Sequence, residues 1–138
     1  MSSKKISTFL IFLIISFSNI AKVFSIEPDV FVQSTVNRAS KVLSSNISKE
    51  EKIEKLKIIA DETVDIKIIG LYTLGSYRKE LNDDQKKKYS ILFKEYFLKT
   101  FSSRLAEYSN PEIEVTSKKK LNEKYTIVSS ILVATEKR

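Results

Sequence analysis

Residues 64–108 read VDIKIIGLYTLGSYRKELNDDQKKKYSILFKEYFLKTFSSRLAEY, a short apolar helix closing on Leu74-Gly75-Ser76-Tyr77 and then a long helix with aromatic residues at helical spacing. Tyr89, Leu92, Phe93, Tyr96, Phe97, Phe101, Leu105 and Tyr108 follow one another in steps of three and four, which places nearly all of them on one stripe. A stripe of that kind requires apolar cover. The stretch therefore argues for helices around a greasy interior.

Working outward, Asn82 caps the long helix, with Asp83 and Asp84 in its first turn and Gln85 at the capping-box position, and Asn110-Pro111 is expected to end it. Gly75 stands where a helix C-terminus favours a residue tolerant of left-handed dihedrals. The preceding helix, about Val64 to Leu74, presents Val64, Ile68, Leu71 and Tyr72, and Ile66 and Ile69 widen that surface, so it is expected to be buried. Upstream, Ser48 with Glu51 predicts a capping box and a helix from Lys49 that turns Ile53, Leu56, Ile59 and Ala60 inward. Asn46-Ile47-Ser48 also matches a glycosylation sequon, but reads better as that turn and cap. Glu27-Pro28-Asp29 starts a first helix, about Val30 to Leu43, with Val32, Val36, Ala39 and Leu43 on its apolar side.

Beyond Pro111 the period changes from 3.6 to 2. Ile113 and Val115 alternate with Glu112, Glu114 and Thr116, and Tyr125, Ile127, Ser129, Ile131 and Val133 alternate through a longer run. Two antiparallel strands are expected, joined by a solvated turn over Ser117 to Glu123. The fold class is α+β, with about four N-terminal helices packed on an antiparallel sheet of which two strands are present. A lone hairpin is marginal in water and leaves an open edge.

The N-terminus carries Lys4 and Lys5, an apolar run from Ile6 to Phe17 and then Val23-Phe24-Ser25, the pattern of a secretory signal peptide over residues 1–25. Ala21 is a second candidate cleavage position. The run is too short for the roughly 18–20 apolar residues that cross a bilayer. Residues 26–138 then form one domain. Lys4, Lys5 and Lys22 leave with the leader, so the formal charge falls from +7 to about +4.

The chain has no histidine and no cysteine, which removes the commonest general base, the thiol nucleophile, disulfides and most transition-metal sites. With two glycines, Gly70 and Gly75, no glycine-rich phosphate loop can be written. An enzyme is not expected, nor a cofactor or metal. Lys86-Lys87-Lys88 and Lys118-Lys119-Lys120 are the only candidate nucleic-acid contacts. The first triplet lies among Asp83, Asp84 and Glu95, neither has an aromatic platform, and an exported chain does not meet nucleic acid.

Leu74-Gly75-Ser76-Tyr77-Arg78-Lys79, the capped helix with Gln85 near its start, and the series Tyr89, Phe93, Glu95-Tyr96-Phe97, Phe101, Leu105 and Tyr108 resemble the MlaC or toluene-tolerance family of periplasmic phospholipid-carrier proteins. The resemblance spans the mature chain and is best from Val64 to Tyr108. Arg78 departs from it, standing where family members commonly carry a second aromatic. So does length, since the family normally continues with further strands and terminal helices. The resemblance implies a phospholipid held between helices and sheet with its headgroup in water. It also implies exchange with an inner-membrane ABC-type lipid transporter complex and an outer-membrane lipoprotein complex, which maintains outer-membrane lipid asymmetry. The expected cavity wall is Ile68, Leu71, Leu74, Phe93, Phe97, Phe101 and Leu105 from the helices with Ile127, Ile131 and Val133 from the sheet. Arg78 and Lys79 are the weaker candidates for a phosphate at the mouth. The alternative is a shortened, degenerate carrier acting as a non-enzymatic interaction domain, its open edge binding another strand by β-augmentation.

Overall fold

Two reciprocal caps set where the helices begin. Ser48 Oγ accepts from Glu51 N at 3.1 Å while Glu51 Oε2 accepts from Ser48 N at 3.2 Å, and Asn82 and Gln85 repeat the exchange at 2.9 Å in both directions. In the computed structural model, which describes residues 26–137 and their side chains as far as Val133, these caps open α2 (Lys49–Thr63) and α4 (Asp83–Leu105). Helix α1 (Pro28–Leu43) precedes them, α3 (Ile66–Thr73) and a short 3-10 turn (Gly75–Lys79) lie between, and strands β1 (Tyr108–Lys120) and β2 (Thr126–Lys137) follow. The α+β class is as the sequence implies. The leader expected over residues 1–25 lies outside the described residues.

Gly75 has φ +54°, the left-handed conformation anticipated for it. Three boundaries differ from expectation. Helices α2 and α3 are separate as expected, but Val64 is extended and Asp65 caps α3 by accepting from Ile68 N at 3.0 Å, so α3 starts at Ile66 rather than about Val64. Helix α4 stops at Leu105, so Tyr108, Asn110 and Pro111 belong to β1. Asn110 has φ +49° within a register shift between Ser109 and Glu112, and a proline, which has no N–H to give a ladder, is tolerated at such an irregularity. Finally, Ser117 to Lys120 continue β1, and the turn is shorter than the charge pattern implies.

The buried apolar core is small: Leu43, Leu56, Ile59, Ala60 and Ile66. Lys52 is buried with them, and its Nζ donates to Leu43 O at 2.7 Å, supplying a partner to a carbonyl left open at the end of α1. Surface pairs Arg38–Glu62 at 2.5 Å and Lys94–Asp61 at 2.6 Å link α1 and α4 to α2, and pairs so exposed contribute about 0–1 kcal/mol each. Contrary to expectation α3 is not buried on most of its circumference, since Ile68 is 59 % and Tyr72 78 % exposed. It packs through one narrow face, Gly70 against the ring of Phe93.

That contact makes a testable case. A Cβ on Gly70 would lie 2.8 Å from Phe93 Cδ1 and 3.1 Å from Cγ, the rooted end of the ring. Gly70→Ala should gain about 1 kcal/mol in helix propensity but lose about 1–3 kcal/mol to overpacking. A net loss of about 1 kcal/mol in chemical unfolding is expected; a more stable variant would show that Phe93 yields freely.

The hairpin is held to the first helix by charge at its far end. Lys118 Nζ lies 2.8 Å from both Glu27 Oε2 and Asp29 Oδ1. The hydrogen bond from Lys118 holds Asp29 below the usual carboxylate range against a smaller opposing desolvation, and the same bond, with that to Glu27, raises Lys118. A lowered acid stabilises fully above its ordinary pKa and loses that contribution as pH falls through the lowered value. A raised lysine stabilises fully below its ordinary pKa and loses it as pH rises through the raised one. The clasp should therefore hold across the neutral range and fail at both extremes. Carboxyl NMR titration should find Asp29 low in the native chain and back in the ordinary range in Lys118→Met; the same midpoint in both would contradict the clasp.

Candidate functional site

The helices and the sheet do not close on each other. Between α1, α2, the C-terminal end of α4 and the inner face of the hairpin lies a cleft of about 450 Å³. Its floor is the core itself, Leu43, Leu56, Ile59 and Ala60; Val36 and Ala39 form one wall, Phe101 and Leu105 another, and Tyr108, Pro111, Ile113 and Leu132 the roof. The geometry follows from α1, which lies along β1 and reaches little of β2. Ile113 stands opposite Leu132 in the ladder, so both point to the helices.

Among the described residues no charged side chain lines this cleft; its polar members are Thr35, Ser40, Thr63, Ser130 and the Tyr108 phenol. Two of those hydroxyls are committed within their own helices, Thr35 Oγ1 donating to Phe31 O at 3.0 Å and Thr63 Oγ1 to Ile59 O at 2.6 Å. What remains is an apolar surface open to water on one side. The size falls in the roughly 300–1,000 Å³ range of small-molecule sites, and burial of hydrocarbon is the interaction it can offer.

Of the ten residues expected in the wall, Phe101 and Leu105 line the cleft. Phe93 and Phe97 sit further up the same helix in a stacked row, with ring centroids 5.8 Å apart for Tyr89–Phe93, 6.1 Å for Phe93–Phe97 and 5.3 Å for Phe97–Phe101. The row drifts around α4, so its upper part serves α3 and only its end reaches the cleft. Leu71 lines a separate groove among Lys67, Lys86, Lys87 and Lys94, Leu74 closes α3 half-buried, and Ile68 faces solvent.

On β2 the phase is the reverse of the one read from the sequence. Ile127, Ile131 and Val133 do not line the cleft, and Ser130 and Leu132 do. Glu114, whose neighbours Ile113 and Val115 lie on the inner face, is opposite Ile131, which puts Ile131 outside. Arg78 and Lys79 are exposed in the 3-10 turn, ahead of a 23-residue helix whose far end forms the cleft. At about 1.5 Å per residue, roughly 30 Å of helix separates them from Leu105. Tyr108 and Pro111, legible only as the end of a helix and its terminator, line the cleft from β1, and Ile113, legible as a strand residue, joins them there with no sequence sign of a site. Val36, Ala39, Leu43, Leu56, Ile59 and Ala60 were legible as inward-facing but carried no sign that the interior they face is incompletely filled.

Among the described residues no helix is long and apolar enough to cross a membrane. No curated protein and no solved structure matches the chain. The family described as MlaC protein matches residues 33–138, from within α1 through the cleft and the hairpin, and the chain belongs to that family.

Proposed function

We propose that this protein is a periplasmic phospholipid-binding carrier that moves lipid between inner and outer membranes by sequestration, with no chemical step. The observation that carries the reading is the uncharged cleft between helices and hairpin, and membership of the MlaC family supports it. Acyl chain lies against Leu43, Leu56, Ile59, Phe101, Leu105 and Leu132 while the headgroup stays in water at the open side. At about 25 cal/mol per Å² of apolar surface, chains exposing several hundred Å² gain on the order of 10 kcal/mol, enough to hold a lipid across an aqueous compartment. Among the described residues the cleft carries no cation, and Arg78 and Lys79 stand at the other end of α4, so in this reading burial of acyl chain supplies the affinity.

The cleaved leader over residues 1–25 delivers the chain to the periplasm in this reading. Its partners there are an inner-membrane ABC-type transporter complex, which loads or unloads it, and an outer-membrane lipoprotein complex. The test is transfer of a self-quenched fluorescent phospholipid from donor to acceptor vesicles. Added protein should raise the transfer rate in proportion to its concentration; a rate equal to spontaneous exchange would contradict the carrier.

A further inference from the structure

Helix α3 turns apolar residues to water. Ile66 and Gly70 are buried, and Gly70 meets the Phe93 ring, so the two mark the face that packs on α4. Ile68 and Tyr72 follow them by two residues, about 200° around a helix, and therefore stand on the opposite side, where both are exposed. One turn apart, they form a ridge. Over Ile66–Thr73 the helix carries a single charged residue, Lys67, and no acid.

Lysines collect beside this ridge. Lys67 and Leu71 face Lys86, Lys87, Ile91 and Lys94 of α4 across a groove. Lys94 is paired with Asp61 at 2.6 Å and Lys86 loosely with Asp83 at 3.7 Å, while among the described residues Lys67 and Lys87 have no acidic partner. The 3-10 turn after α3 adds exposed Tyr77, Arg78 and Lys79. An apolar ridge bordered by cations is the composition of a surface that enters a bilayer interface, where isoleucine and tyrosine leave water and lysine meets anionic headgroups. By itself the ridge is too narrow for the roughly 800 Å² per partner that a stable protein interface buries.

We propose that α3 docks this protein on the surface of an anionic phospholipid bilayer. Ile68 and Tyr72 enter the boundary between headgroups and acyl chains, to a depth of about 5–10 Å. Lys67 and Lys87 lie over the lipid phosphates. Two apolar side chains and a few lysines supply far less than a membrane-spanning anchor, so the attachment is shallow and reversible. Docking leaves the cleft free, because α3 packs on the first half of α4, at Phe93, whereas the cleft takes Phe101 and Leu105 from its last turns and shares no lining residue with the lysine groove. This surface stands or falls apart from lipid binding in the cleft.

The test is co-sedimentation of the chain, expressed from Met1 and purified from the host periplasm, with vesicles of phosphatidylcholine alone or mixed in equal parts with phosphatidylglycerol. Binding to the mixed vesicles is expected, weakening with added salt and falling about tenfold on phosphatidylcholine alone. Ile68→Glu and Tyr72→Glu alter exposed side chains, so circular dichroism should be native while each lowers binding to the mixed vesicles about tenfold. Ile131→Glu adds the same charge on the outer face of the sheet and should bind like the native chain. Lys67→Glu combined with Lys87→Glu should lower binding on the order of tenfold, and decides the matter should a ridge variant fail to fold. No binding to the mixed vesicles, the outcome for a face that meets a protein instead, would overturn the proposal. So would folded ridge variants or a lysine pair that bind like the native chain, or an equal loss in Ile131→Glu.

Discussion

Leu56→Ala should destabilise the protein by about 2–5 kcal/mol, a large share of the roughly 5–15 kcal/mol that holds a domain of this size together. Leu56 is 1 % exposed and is the largest apolar side chain among those most completely buried. The buried apolar set around it is Leu43, Ile59, Ala60 and Ile66, too few to repack over a missing isobutyl group. The residue also forms part of the cleft floor, so the lost volume joins space that is already open and the surroundings have little reason to collapse into it. Equilibrium unfolding in urea should show a lower midpoint with an unchanged slope. Saturating lipid should raise both midpoints, because a ligand that binds only the folded state adds stability by mass action, and should leave the gap between them unless the substitution alters affinity. A loss below about 1 kcal/mol would mean that the helices close over the vacancy and that the floor is soft.

A matched pair on β2 should separate the two faces of the hairpin. Leu132 is 50 % exposed and lines the cleft; Ile131 is 52 % exposed and does not. Both sit in the same strand, so a glutamate at either position meets similar backbone propensity and similar solvent. In Leu132→Glu, however, the carboxylate must be desolvated against acyl chain, a cost of at least about 2–3 kcal/mol, which lowers retention of lipid on the order of a hundredfold. Ile131→Glu should retain lipid like the native chain. The readout is phospholipid phosphorus per protein after purification, with circular dichroism to establish that both variants fold. Equal retention in the two would contradict the cleft as the binding surface, and loss in Ile131→Glu alone would restore the phase read from the sequence.

The pair also shows why that phase was not legible. Period-2 reading needs a polar face to contrast with the apolar one, and β2 has none, since Ile127, Ile131 and Val133 alternate with Val128 and Leu132. On β1 the contrast is clear, with Glu112 and Glu114 against Ile113 and Val115, and the ladder transmits that phase to β2 through Ile113 and Leu132. Caps were legible because each is a local exchange between residues three apart, as at Ser48–Glu51 and Asn82–Gln85. The end of α4 was not, because Asn110-Pro111 reads equally as a helix stop and as a bulged strand, and the choice depends on α1 and β2, far away in sequence. Gln33, whose side chain accepts from Val115 N and donates to Ile113 O, illustrates the same limit: nothing local marks a glutamine in the first turns of a helix as the partner of a strand some eighty residues on. The aromatic row was read correctly as a row, but its drift around α4 divides it between α3 and the cleft. For the cleft itself, an apolar residue has the same pattern whether it packs on protein or on lipid.

Native mass spectrometry of the protein, exported and purified from the periplasm without added lipid, decides whether the cleft holds phospholipid. Folded protein should carry co-purified phospholipid in near one-to-one ratio to the chain, released on collisional activation as intact lipid masses. Folded protein that is empty, and that stays empty after incubation with phospholipid vesicles, would contradict it.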